Sequence, residues 1–359
     1  MAGAKKKATA MTPKEVMDSI NKEYPGALRL ASDDYFQIRW VPTGVLAFDR
    51  MTGGGIPLGR YTEIFGVESA LKSLLATIAA SRFQQEFPDK RVMWIDAEGS
   101  FDKKWVARWG VDMDRLDVIT PDTGEQATAI LEIAMLSRGY CLFIVDSIAA
   151  MTPQREVEYD AEDTTKAMGA AGRMTSQMMR RLTRLNHNDC AFILINQVRD
   201  SLGVMFGDPA KPTGGRAIPF YAGLRIQNTG GETLKKDVER YKVGGGKGKQ
   251  RKTEARVISM RVRKDKVGSN EDNTGSILWY PNEGRIDEEE SLLLLGIADD
   301  IVIRSGPSVR IKFGAGEKKV DQSFKGWANA KEWLRKNPKI ARRMALKISK
   351  KTAEGTVAA

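Results

Sequence analysis

Two cysteines and one histidine are all that 359 residues hold of these types. Cys141 and Cys190 each lie inside an apolar run and read as small core residues. That argues against a disulfide or a metal pair and points to a reducing cytoplasm. His187 sits in the polar string RLNHNDC and reads as a loop residue, so no chemistry is expected to turn on imidazole. No apolar run reaches the roughly eighteen residues of a membrane helix, and MAGAKKKATA lacks the apolar core of a secretory signal. No internal repeat is visible. Positive charge, in contrast, is abundant and localised. The formal charge is +11, and the residues from Ile301 onward hold 15 Lys and Arg against 4 Asp and Glu, so residues 1–300 balance. A basic C-terminal lobe suggests an acidic polymer as partner.

With 42% apolar and 29% charged residues, the composition is that of a soluble globular chain, long enough for one large domain and one or two small ones. TPKEVMDSINKEYPG predicts a short helix, capped by Thr12, with Pro13 in its first turn and a stop before Pro25. Strand-like runs follow in YTEIF, RVMWIDAE, LDVIT, CLFIVDS, CAFILINQ and GLRIQN. They alternate with helical stretches at 71–86, 102–109, 124–138 and 166–187. The alternation predicts an α/β fold with a mostly parallel twisted sheet and helices on both faces. GGETLKKDVERYKVGGGKGKQRKTE has little to bury and reads as a mobile loop. ARVISMRVRK and SILWY read as strands, and a small α+β C-terminal domain is expected from residue 283. The expected division is 1–34, 35–282 and 283–359.

Between the strand YTEIF and the helix LLATIAASRF stands GVESALKS, residues Gly66, Val67, Glu68, Ser69, Ala70, Leu71, Lys72 and Ser73, followed by Leu74. It fits the phosphate-loop pattern G-x-x-x-x-G-K-[ST] except that Leu71 replaces the second glycine. Such a loop works by pointing successive backbone N–H groups into one concavity at a helix N-terminus. Lys72 would reach the β- and γ-phosphates and the Ser73 hydroxyl would ligate magnesium. The loop by itself is a weak match. MWIDAEGS and CLFIVDS, however, each end an apolar run with acids, Asp96 with Glu98 and then Asp146. Ligands in open parallel sheets bind at that carboxyl edge. Glu98 could polarise an attacking water, and Asp146 could reach magnesium through water.

At this point the strings PTGVLAFD, IDAEGSFD, PDTGEQA, VDSIAAMTP, MGAAGRMTSQMMR, INQVR, GVMFGDP with TGG, PFYAGLR, RKDK and ANAKEWLRKNP join GVESALKS in one order. The chain from about Thr12 to about Ile348 resembles the bacterial RecA-type recombinases. Helicase-like relatives share the core, but GVMFG with TGG and the N-terminal helix resemble the recombinases. The resemblance implies a RecA-like phosphate-loop core that binds ATP with Mg2+, with Lys72 and Ser73 gripping phosphate and metal. It implies Glu98 as the acid that activates water, Asp146 behind the metal, and Gln197 as the sensor of the γ-phosphate. Trp105 would stack on adenine, with Asp102 near the base edge. Lys264 and Lys266 would reach the neighbouring protomer's nucleotide, and the helix at 12–24 would dock on that neighbour.

The resemblance further implies two DNA-binding loops, about 156–165 and 198–215. Met168, Arg173, Ser176 and Arg180 follow the first at helical spacing. Arg199, Val204, Met205, Phe206, Gly214, Gly215 and Arg216 belong to the second, where arginines can neutralise phosphates, glycines approach them and apolar groups wedge between bases. The methionines of MTSQMM are expected in the core. Arg261 and Arg263 are candidates for a secondary duplex site. Two departures stand out. Leu71 would cost ~1–2 kcal/mol if its backbone needs positive φ. The tail KISKKTAEGTVAA is basic where the best-known members carry acid, which favours DNA capture and makes a phage source plausible. The expected activity is ATP-driven filament formation on single-stranded DNA, pairing with homologous duplex, and strand exchange in recombination, repair and the SOS response. The alternatives are a DNA-coating mediator that hydrolyses ATP weakly and a ring-forming helicase.

Overall fold

The structure is a computed structural model that describes residues 11–158, 169–186, 189–200, 210–212, 214–241, 247–268 and 271–357. The chain divides into two units, residues 1–38 and 39–359. In the first, α1 (Pro13–Glu23) starts as expected. The Thr12 side chain accepts from Glu15 N, and Glu15 reaches back to Thr12 N at 2.7 Å, a closed capping box.

The second unit opens with a small antiparallel pair, β1 (Trp40–Val41) and β2 (Ile56–Pro57), around α2 (Leu46–Thr52). The central sheet then comprises β3 (Tyr61–Gly66), β4 (Arg91–Asp96), β5 (Leu116–Ile119), β6 (Tyr140–Asp146), β7 (Ala191–Asp200), β8 (Ala210–Pro212), β9 (Leu224–Tyr241), β10 (Lys247–Asp265), β11 (Thr274–Tyr280) and β12 (Arg285–Ile286). Their order is β12-β11-β10-β9-β3-β7-β6-β4-β5, with β8 on the extension of β7. The run from β9 to β5 is parallel, and β10, β11, β12 and β8 pair antiparallel.

Strands in such a sheet are covered on both faces, which explains why their sequences are continuously apolar. On β6, Leu142 and Ile144 point into one buried cluster with α3 (Lys72–Glu86), while Phe143 and Val145 point into another. That second cluster holds Leu131 of α5 (Gly124–Ser137) and Met174, Met178 and Met179 of α7 (Ala170–Leu185). Between β4 and β5 lies the short α4 (Lys103–Arg108), and α6 (Gln154–Glu158) and α8 (Ala217–Tyr221) adjoin in sequence the two segments expected as DNA-binding loops. The C-terminal region is α9 (Glu288–Ala298), the antiparallel sheet β13 (Val302–Ser305), β14 (Ser308–Phe313) and β15 (Val320–Lys325), then α10 (Trp327–Lys336) and α11 (Pro338–Val357). Leu293, Ile311, Leu334 and Met344 form its core, together with Leu46 of α2.

One expectation is corrected. The segment expected as a mobile loop is instead a long hairpin, because β9 and β10 continue to pair past the sheet as far as Tyr241 and Lys247. The backbone bonds of two antiparallel strands are satisfied by each other, so a ribbon needs no buried face to keep its ladder. Residues 242–246 lie outside the described residues.

Candidate nucleotide and DNA site

Five parallel strands come level in two groups at one carboxyl edge. Gly66 of β3 is level with Gln197 of β7 and Asn228 of β9, and Asp96 of β4 is level with Asp146 of β6. The loop from Val67 to Leu71 rises from that edge into α3. It closes tightly over β9, since a Cβ on Gly66 would lie 1.9 Å from the Asn228 carbonyl oxygen. Ser69 and Leu71 both take left-handed angles, with φ 57° and 59°. Leu71 thus takes a left-handed backbone that glycine adopts at less cost, and its side chain packs partly buried against the α3 cluster.

Lys72 is buried, and its Nζ donates to Gly66 O at 3.1 Å and Val67 O at 2.6 Å. Burial lowers its pKa, opposed by Asp146, Glu98 and Glu68. Burial likewise raises Asp146, to about 6, against a hydrogen bond from the Ser73 side chain. Ser73 and Asp146 therefore form a hydroxyl–carboxylate pair beside the lysine. Among the described residues no cluster of three or more His, Cys, Asp or Glu could hold a metal alone. The pair suits magnesium, a hard oxygen-seeking ion that binds through one or two protein oxygens and the substrate's phosphates.

Glu98 is the group held on two sides. Its Oε1 accepts from Ser147 Oγ at 2.5 Å and from Gln197 Nε2 at 2.9 Å. The second bond ties the turn after β4 to Gln197 of β7, and β7 continues into the segment expected as the second DNA-binding loop. Asp96 holds the turn that follows β4, accepting from Ser100 N and Phe101 N at 3.1 and 3.0 Å.

The remaining nucleotide candidates are distributed as follows. Asp102 caps α4 by accepting from Lys104 N and Trp105 N. Trp105 is half-buried in an indole cluster, its ring 5.9 Å from Trp109 and 6.1 Å from Trp279. Val67, Glu68 and Ser69 are exposed, whereas Ala70 and Leu74 are buried. Lys264 and Lys266 lie away from the loop at the amino end of β9, where both donate to the Phe220 carbonyl oxygen. Burial and the neighbouring Lys266 lower Lys264 to about 8.

Of the DNA candidates, Arg173, Ser176 and Arg180 line one cavity of about 440 Å³ with Gly215 and Arg216. The arginines face outward, while Met174, Met178 and Met179 of the same helix are core, as expected. Gly214 and Gly215 take φ 87° and 75°. Arg261 pairs with the exposed Asp272 at 2.8 Å, and it lines a second cavity of about 590 Å³ with Arg50 and Arg263. Met168, Val204, Met205 and Phe206 lie outside the described residues, as does His187, and of Arg199 only the backbone is described, paired with Lys211.

Two partners escaped the sequence reading. Ser147 follows Asp146 directly and supports Glu98. Asn228, in the run GLRIQN, is fully buried, and its Nδ2 donates to Ala70 O at 2.8 Å. A polar side chain closing an apolar strand run was its only signal.

A strand–loop–helix with a buried lysine, a Ser–Asp pair and a strand-end glutamate defines a phosphate-loop nucleoside-triphosphatase core. The RecA N-terminal domain family matches residues 12–268. The chain is 33% identical over 340 residues to Protein RecA of Amycolatopsis mediterranei, spanning 94% of this chain and 90% of that one. It is 35% identical to Protein RecA of Frankia alni, with 90% and 87% covered, and 34% identical to that of Clostridium botulinum, with 90% and 85% covered. The chain belongs to the RecA family, recombinases that act on single-stranded DNA in recombination and repair.

Proposed function

We propose that this site binds ATP with magnesium and hydrolyses it when the protein is filamented on single-stranded DNA. The observation that carries the reading is Glu98, held by Ser147 and Gln197 beside the buried Lys72 and the Ser73–Asp146 pair. Two donors on one oxygen of Glu98 fix its direction and leave the other oxygen to take a water's proton. Lys72 exchanges its two backbone carbonyl partners for phosphate oxygens, a stronger charge-assisted contact. Bound magnesium would neutralise the charge developing on the phosphates. Gln197 links this chemistry to DNA, because a γ-phosphate that attracts its amide would draw β7 and the loop beyond it. Arg173, Arg180 and Arg216 would hold the strand's phosphates, and Arg261 and Arg263 would meet incoming duplex.

Lys264 and Lys266 lie at the amino end of β9, on the Phe220 carbonyl rather than at their own phosphate loop, which fits a role at the next protomer's γ-phosphate. Hydrolysis would then require the helical assembly, with α1 of each protomer docked on its neighbour and residues 283–359 as a small basic domain. The two buried free cysteines suit the reducing cytoplasm of a bacterial cell. The test is ATP turnover with and without single-stranded DNA, alongside electron microscopy of the complexes. DNA-stimulated turnover on helical filaments is expected. No magnesium–ATP binding at millimolar concentration would overturn the reading, closed rings would favour a helicase, and filaments without turnover a DNA-coating mediator.

A further inference from the structure

Asn228 is an expensive residue at its position. It is fully buried, Ile226 on the same strand face is core, and so is Met260, paired directly opposite. An amide in such surroundings costs stability unless both its ends are bonded. Only one end is: Nδ2 reaches Ala70 O, while Oδ1 has no partner among the described residues. An apolar side chain of similar size would suit packing better. The one side-chain bond of Asn228 among the described residues goes to the phosphate loop, at the peptide just before Leu71.

That peptide is the one whose orientation matters. In a planar trans peptide the C=O and the following N–H point in opposite directions. Holding Ala70 O against Asn228 therefore aims the Leu71 N–H away from β9, as a donor for phosphate. Leu71 sits at φ 59°, ψ 21°, a conformation that a leucine's Cβ disfavours. Turning the Ala70–Leu71 peptide over would return Leu71 to negative φ and aim its N–H the wrong way. A glycine at 71 has no such incentive, because it populates positive φ about as readily as negative.

We infer that Asn228 is a positioning residue that locks the Ala70–Leu71 peptide, allowing a leucine to stand where this loop's geometry calls for glycine. The inference rests on the proposed binding of ATP, and its test separates the two. The dissociation constant of magnesium with a slowly hydrolysed ATP analogue is measured for wild type, Asn228→Leu, Leu71→Gly and the double variant, with kcat at saturating ATP. Asn228→Leu should weaken binding roughly tenfold, the factor a leucine's aversion to the left-handed region corresponds to. Its kcat should stay within about twofold, because Glu98 and its partners are untouched, and its melting temperature should not fall. In the glycine background the same change should cost less than about threefold, since glycine removes the drive to flip. Equal binding by wild type and Asn228→Leu would overturn the inference. So would an equal loss in both backgrounds, which marks a merely structural residue. Asn228→Val removes the amide without adding bulk or charge, and it gives the same cycle if the leucine variant does not fold. Wild type that binds no nucleotide would overturn the ATP reading and this one with it.

Discussion

Replacing Leu71 with glycine tests how the phosphate loop carries its unusual residue. The left-handed angle at Leu71 costs ~1–2 kcal/mol for a residue with a Cβ. Glycine recovers that, but it gains freedom in the unfolded chain worth ~0.5–1 kcal/mol. It also gives up the partial burial of the leucine against the α3 cluster, about 1 kcal/mol, half the value of a fully buried side chain. These effects nearly cancel, so Leu71→Gly is expected to shift the melting temperature by less than about 3 °C. Nucleotide affinity should also move little. The angle belongs to the folded loop and is held by Asn228, so the same strain is present with and without nucleotide and drops out of the difference. Calorimetric titration with magnesium and ATP, together with thermal melting, reads both quantities. A tenfold tighter affinity, about 1.4 kcal/mol, would mean that nucleotide itself imposes the left-handed angle, and the reasoning above would be wrong.

The other predictions address separate parts of the molecule. Glu98→Gln keeps an acceptor for Ser147 and Gln197 but cannot take a proton, so hydrolysis should fall ~10²–10⁴-fold with ATP affinity unchanged. A loss of affinity equal to the loss of turnover would remove Glu98 from the catalytic role. Arg180→Ala removes an outward-facing charge from the cavity beside Gly215 and Arg216, so the slope of log affinity against log salt for single-stranded DNA should shrink by about 0.7. An unchanged slope would place the strand elsewhere. Glu288 is raised to about 7, chiefly by burial and then by Asp49 and its other acidic neighbours, against a bond from the Leu46 backbone. A carboxyl raised when folded contributes stability below its unfolded pKa, near 4.3, that is lost as pH rises to about 7. Glu288→Gln should therefore narrow the gap in melting temperature between pH 5 and pH 8, and an undiminished gap would assign the pH dependence to other groups.

The sequence determined much of this protein by itself. Each buried parallel strand has its own apolar run, because a strand covered on both faces cannot be polar on either, and the runs end where the acids Asp96 and Asp146 begin. Thr12, Pro13 and Glu15 wrote the start of α1 locally. The strings around Lys72, Glu98 and Gln197 were sufficient for the family. Charge and glycine content misled over residues 230–254, because a ladder between two strands depends on a partner segment and leaves no apolar signature. Only tertiary structure decided what surrounds the loop. Sequence left open whether Leu71 needs positive φ. The fold settled it, by laying β9 against β3 so that Gly66 meets the Asn228 backbone and Ala70 its side chain. It also joined Ser147 and Gln197 on one oxygen of Glu98 across 49 and 99 residues of chain. Contacts between strands distant in sequence are fixed by the order of the sheet, and no local pattern of residues encodes that order.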